Sequence, residues 1–437
     1  MQQIVARSES LHVPEVQSPW HLYSRTNRRA FLIVLFLVGT SNYVDRNIIG
    51  VLLEQIKAEF AVSDTMLGLL SGTSFALLYA TLGIPIARWA DRGDRTFVIT
   101  LSLAVWSVMT VLCGFASTFG LLLLARFGVG AGEAGAIPAS QSLIADYYPP
   151  SERARAIGIF MMSSAAGYAL GLILGGYLAE HHGWRVSLVA VGTSGLVLAP
   201  VTYFLLKEPR RAQHCAISTL AHESVRKSLR ALFAKPAYRN ILASMVVYFF
   251  IAYGALVFIV SLMIRAHGLS VAEAGAVFGI ISTIAAVIGS FFGGAFADRL
   301  AARDLTWLAK FPGWGLIVAA PLFEFAVVGS NFHVMCALLL VATTLLTAAL
   351  PSAYSAMHVV CGSTRRALSV AVAFFFANLM GLGLGPLAAG WLSDRFAVTY
   401  GEAEGLRYAL MVVMPALVVA GGLLLRAARH VLNDAEA

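Results

Sequence analysis

The sequence predicts an all-α membrane protein: twelve transmembrane helices in two pseudo-symmetric six-helix bundles. Three observations carry this expectation. First, 59% of the 437 residues are hydrophobic and only 12% are charged, against roughly 25% charged in soluble chains. Second, the apolar residues fall in blocks of about 20, set apart by short polar, Gly- or Pro-containing breaks, as helices crossing hydrocarbon require. The strict alternation of a transmembrane β-barrel is absent. Third, the halves echo each other: ARWADR (87–92) with GAFADR (294–299), IPAS (137–140) with LPSA (350–353), RAI (155–157) with RAL (366–368), and GYLAE (176–180) with GWLSD (390–394). The echoes keep their order at a nearly constant offset, the mark of an internal repeat.

Taken in order, the expected spans are 29–52, 66–88, 96–115, 119–146, 154–180 and 185–206, then 240–265, 271–298, 307–329, 332–361, 366–393 and 405–427. Residues 1–28 form a polar tail without the apolar run of a signal peptide. The first bundle covers 29–206 and the second 240–430, with a short tail at 431–437. Six spans per half give a parallel repeat, the pattern in which substrate binds between the halves. Segment 207–239 interrupts the apolar pattern. Its Leu220, Val225, Leu229, Leu232 and Phe233 recur at near-helical spacing against His222, Arg226, Lys227 and Arg230, which predicts an amphipathic helix on the membrane surface.

The net charge of +8 is a topology signal. With the N-terminus inside, about 24 Lys and Arg fall in inner tails and loops and only five outside (Lys57, Arg185, Arg265, Arg395, Arg407). By the positive-inside rule both termini are cytoplasmic, and a bacterial inner membrane is the expected location. No basic, aromatic-interleaved domain stands apart, so nucleic acid is not an expected partner. The four cysteines are scattered without CxxC spacing, so neither a disulfide framework nor a metal site is expected.

Two charged positions per helix stand out in the first and fourth spans: Asp45 and Arg46, Arg126 and Glu133. Arg126 and Glu133 are seven residues apart, so they share one helix face. An unpaired charge in hydrocarbon is costly, whereas two carboxylates and two guanidiniums at similar depth neutralise one another. This predicts a central cluster. Asp45, Glu133 and Arg126 are candidates for proton coupling; Arg46, Tyr43 and Glu133 are candidates for substrate binding. The second half has LLVATTLL at the equivalent place, and contributes Phe249, Tyr253, Phe375 and Asn378 as aromatic wall and polar point. At the inner end of the second span, Gly83, Asp91, Arg92 and Arg95, echoed by Asp298 and Arg299, suggest an inter-helix latch. Glu324 near an outer helix end is expected to snorkel, and His358 to be structural. Gly130-Ala131-Gly132-Glu133-Ala134-Gly135 spells GxGxxG, but mid-span, without a preceding strand, it is no nucleotide site. GxxxxGK[ST], HExxH and GxSxG are absent, so no enzyme is expected.

The twelve spans and the DRxxR loop with its echo resemble the major facilitator superfamily over essentially the whole chain. The stretches NYVDRN (42–47), GEAGAIPASQSLIADYYPPSERARAIGIF (132–160) and NLMGLGLGPLAAGWLSD (378–394) resemble bacterial members of the spinster family. Asp94 stands where the loop motif usually has Gly, and Leu172 where the fifth-span motif often has Pro. The resemblance implies a monomeric proton-linked carrier, with protons as coupling ion and no other cofactor, for a lysolipid-like organic anion amid membrane lipids. The anion:cation symporters of sugar acids show a similar charge pattern, so a small sugar acid or carboxylate is the alternative substrate. A passive scramblase or channel is the reading from another class.

Overall fold

The computed structural model describes residues 19–209 and 225–435. Among these residues, eleven helices are long and apolar enough to cross a membrane. The longest, Pro150–Leu205, breaks at Gly183, whose φ of 83° lies in the left-handed region that side chains resist. The spans are therefore twelve: α1 Arg25–Phe60, α2 Asp64–Ala90, α3 Arg95–Gly114, α4 Phe119–Tyr147, α5 150–182, α6 184–205, α7 Pro236–His267, α8 Val271–Ala301, α9 Trp307–Val328, α10 Phe332–Gly362, α11 Leu368–Tyr400 and α12 Glu402–Ala428.

Short connections force neighbouring spans to run antiparallel, and small polar caps set their starts. Ser24, Ser63, Asp94, Thr118, Ser270 and Asn331 each accept a backbone N–H of the first turn, satisfying donors that hydrocarbon could not. The start of α1 and the segment that follows α12 lie at one end of the bundle, here the terminal end. There Asp434 caps the start of α7 through Ala237 N (2.8 Å), and Tyr148 donates to Arg28 O (2.7 Å). Of the expected amphipathic segment, Val225–Ala234 forms a helix with Leu232 buried and Arg226, Lys227 and Arg230 exposed. Leu220 and His222 lie outside the described residues.

The halves meet along α1/α7, α1/α8, α5/α8 and α2/α11, and the polar ties between them gather at the end opposite the termini. Arg265 of α7 grips both Glu54 (2.9 and 2.8 Å) and Asp64 (2.7 Å twice). Lys57 reaches Asp64 and Glu402, each at 3.0 Å. Asp394 of α11 caps α2, accepting from Asp64 N and Thr65 N at 2.8 Å, where the helix dipole favours a negative charge. The backbones themselves touch here: a Cβ on Gly68 would stand 2.2 Å from Pro386 O. This end is closed.

Of the expected inter-helix latch, Arg95 ties α3 to α4 and does not bridge the halves. Arg95 is wholly buried and holds Glu208 (2.5 Å), Asp146 (2.6 Å) and Ser142, all within the first half. A Cβ on Gly83 would meet Ala134 O at 3.9 Å, an ordinary contact, so no close helix approach depends on this glycine. Asp298 and Arg299 are exposed and form no ion pair among the described residues. The side chains of Asp91 and Arg92 lie outside the described residues. In this structure the ionic clasp between halves therefore sits at the other end, on residues that charge counting treats only as outer-loop cations. Glu324 is half-buried, and its Oε1 has no hydrogen-bond partner among the described residues.

A side chain larger than hydrogen at residue 68 must separate α2 from α11. Gly68→Leu is expected to open the closed end, lengthening the distance between spin labels at residues 62 and 401 in pulsed dipolar spectroscopy. An unchanged distribution would remove this contact from the gate.

Candidate functional site

The predicted charges come together in the first half, as two pairs with different surroundings. Asp45 and Arg126 are each 1% exposed. Arg126 Nη1 donates to Asp45 Oδ1 and to the Asp45 carbonyl, both at 3.3 Å, and Nη2 donates to Arg46 O at 3.1 Å. Thr110 of α3 donates to Asp45 Oδ2. This pair is sealed between α1, α3 and α4.

The second pair stands at the edge of a cavity. Arg46 donates to Glu133 Oε2 through Nη2 (2.8 Å) and Nε (3.3 Å). Its guanidinium lies 4.8 Å from the Phe75 ring, 4.7 Å from Tyr79 and 5.5 Å from Tyr43, an aromatic cage that favours a cation. Phe75 also faces Arg126 at 5.2 Å, so one ring serves both guanidiniums. Glu133 is fully buried, and its Oε1 has no hydrogen-bond partner among the described residues.

The glycine-rich stretch that spells GxGxxG explains this geometry. A Cβ on Gly130 would stand 2.3 Å from Phe75 O, and one on Gly132 would stand 2.6 Å from Trp106 N. The glycines seat α2 and α3 against α4, which sets Phe75 between the arginines. Directly after Glu133 the helix is interrupted at Ala134–Gly135 before it resumes at Ala136.

Between the halves lies a cavity of about 310 Å³, at the small end of ligand sites. Tyr43, Arg46 and Tyr168 line it from the first half; Tyr253, Phe278 and Leu382 line it from the second. Asp45, Arg126 and Glu133 are not in its wall, and Glu133 is paired with the wall residue Arg46. Of the second-half candidates, Tyr253 is in the wall and Phe249 stacks behind it (5.6 Å between centroids). Phe375 and Asn378 fall outside the lining, and the Asn378 amide donates to Phe374 O of its own helix.

Sequence reasoning missed Phe75, Tyr79, Thr110 and Tyr168. Aromatic and hydroxyl residues are common in such helices, and only contact singles these out. It also missed the gate residues Glu54, Asp64 and Asp394, although Asp394 lay inside a recognised echo.

A charge-paired core beside a cavity between two six-helix halves is the architecture of a carrier, and the comparisons agree. The profile of the Major Facilitator Superfamily matches residues 35–379. The chain belongs to this superfamily. It is similar to an "MFS-type efflux pump" of Mycolicibacterium smegmatis, 32% identical over 91% of this chain and 92% of that protein. It is also similar to "Protein spinster homolog 1" of Xenopus tropicalis, 25% identical over 92% of this chain and 81% of the relative. A solved bacterial homolog of the human lysosomal transporter Spinster, inward-facing and unoccupied, superposes with a TM-score of 0.87 at 31% identity, covering 95% of this chain and all of that one. The protein is thus a multi-pass membrane transporter of the major facilitator fold, homologous to spinster proteins, and not an enzyme.

Removing one member of the sealed pair leaves a buried charge unpaired, a cost of roughly 3–5 kcal/mol. Arg126→Met is expected to lower the thermal unfolding midpoint sharply. Adding Asp45→Asn to it should recover much of that loss. Additive losses in the double variant would show that the two do not act as a pair.

Proposed function

We propose that the protein is a proton-coupled secondary transporter that moves an amphipathic organic anion by alternating access, with the terminal end facing the cytoplasm. One observation carries this reading: Arg46 is a cavity-wall cation, and its one carboxylate partner among the described residues, Glu133, is buried behind it. Protonation of Glu133 releases the guanidinium, and an anion entering the cavity takes the vacated place. Arg126 holds the backbone carbonyl of Arg46, and its partner Asp45 is the second candidate for proton titration. The largely apolar and aromatic wall supports a substrate with an apolar body, in line with the spinster relatives.

The alternative is a small sugar acid. Its support is a "Probable L-galactonate transporter" of Escherichia coli, 28% identical over 43% of this chain, and the same single-cation site. A passive lipid path is less well supported, because an ion-paired gate between the halves is what two-state access requires.

Reconstitution tests the reading. A proton gradient across proteoliposomes is expected to drive accumulation of an anionic amphiphile in the wild type. Glu133→Gln should abolish gradient-driven accumulation yet retain exchange of substrate across the membrane. Arg46→Gln should weaken binding by at least about tenfold, as loss of a charged hydrogen-bond pair implies. Accumulation that persists in Glu133→Gln at wild-type level would exclude Glu133 as the coupling site.

A further inference from the structure

The cavity wall carries several polar side chains, and some of them are already spent. Asn47 donates to Tyr43 O (2.7 Å), Ser164 to Met161 O (2.8 Å) and Thr347 to Ala285 O (2.8 Å). Two hydroxyls differ. Ser282 of α8 and Thr343 of α10 line the cavity, are only 9% and 4% exposed, and make no hydrogen bond among the described residues. The Tyr168 hydroxyl of α5 pairs loosely with Ser282 across the cavity, short of a well-formed hydrogen bond. A buried hydroxyl without a partner costs on the order of 1–3 kcal/mol, so such groups are rare unless something binds them.

Helix register places the two hydroxyls together. α8 and α10 run in the same direction, and the Thr347–Ala285 bond aligns them. Thr343 lies four residues before Thr347, and Ser282 three before Ala285. They therefore differ in depth by about one residue's rise, ~1.5 Å. Register also fixes their depth relative to Arg46. Gly167 packs on the Tyr43 Cβ, which sets its neighbour Tyr168, and with it Ser282, within about a turn of Arg46. Toward the closed end the wall is apolar: Leu172, Leu256, Val260 and Phe278.

We propose that Ser282 and Thr343 form a second, neutral subsite that reads a hydroxyl or amide carried next to the anionic group of the substrate. The inference rests on the anion reading given above, and narrows it. Arg46 holds the charge from one half, the hydroxyl pair holds the hydrogen-bonding group from the other, and the apolar body points toward the closed end. A substrate that bridges the two walls also ties the halves together, which a simple alkyl anion cannot do.

The test uses two matched pairs of probes on the purified full chain in neutral detergent, read by ligand-dependent thermal stabilisation: lauroyl lysophosphatidate against dodecyl phosphate, and gluconate against hexanoate. The wild type is expected to favour the hydroxylated member of the pair it binds by roughly three- to tenfold per hydrogen bond. Ser282→Ala with Thr343→Val should erase that preference while leaving the affinity for the plain member unchanged. Ser282→Thr with Thr343→Ser, which keeps both hydroxyls, should retain it, so that misfolding is not mistaken for loss of the subsite. Thr283→Val, whose hydroxyl is spent on Gly279 O off the cavity, should also retain it. A wild type indifferent to the hydroxyl, or a preference that survives the double variant, overturns the subsite. If both members bind equally and both depend on Arg46, only the subsite falls. If no probe binds the wild type, the anion reading falls with it.

Discussion

Four ionised side chains inside an apolar bundle constrain everything around them. Each would cost several kcal/mol alone in such surroundings, so the first half is built to pair them and to supply the rest of their partners. Thr110 crosses from α3 to Asp45, Phe75 stacks between the two guanidiniums, and the glycines of α4 allow both approaches. The pairs are not equivalent. Asp45–Arg126 is enclosed on every side and anchors the backbone of Arg46, while Arg46–Glu133 has one member in the cavity wall. The first pair is a fixed support, and the second is an exchangeable contact. The division of labour follows from which residue solvent or substrate can reach.

The second constraint is that the halves cannot be tied at both ends at once. At the closed end, glycine-mediated backbone contact and the Arg265–Glu54–Asp64–Lys57–Glu402 network act together. Asp394 adds a charge on the α2 dipole. At the terminal end each half closes on itself: Arg95 with Glu208 and Asp146 in the first, Lys235 with Asp434 in the second. A π-helical stretch interrupts both α2 (Leu69–Thr73) and α11 (Ala377–Leu384), and Thr73 donates to Gly383 O between them. Such stretches are weak points in a helix ladder. Their pairing across the gate places the deformable segments where the halves must part.

The fold was legible because hydropathy blocks, capped breaks and repeat offsets are all local or periodic signals. The Asp45, Arg46, Arg126 and Glu133 cluster was legible because charge in hydrocarbon is conspicuous on cost alone. Arg265 and Asp64 carry equal physical weight, yet read as ordinary loop charges because they lie where a span ends. Phe75 and Tyr79 are hidden in an apolar run, and their role exists only once α2 meets α1 and α4. Ser282 and Thr343 sit in helices where hydroxyls commonly bond their own backbone, so only the failure to do so distinguishes them. For Asp298 and Arg299, duplication suggested a latch; engagement depends on which end is closed, and a repeat cannot say which.

Charge balance decides which occupancies could cross the membrane on the proposed reading. The empty site is neutral, because Arg46 and Glu133 offset each other. With a monovalent anion bound and Glu133 protonated it is neutral again, the anion having replaced the carboxylate at the guanidinium. Anion without proton leaves an excess negative charge in the core, and proton without anion leaves an unpaired arginine. Both are penalised by the same low dielectric that makes the pair necessary. Rearrangement of the halves is then cheapest when the site is empty or doubly loaded. On that reading, coupling follows from a wall cation, Arg46, for which the buried Glu133 carboxylate and the anion compete.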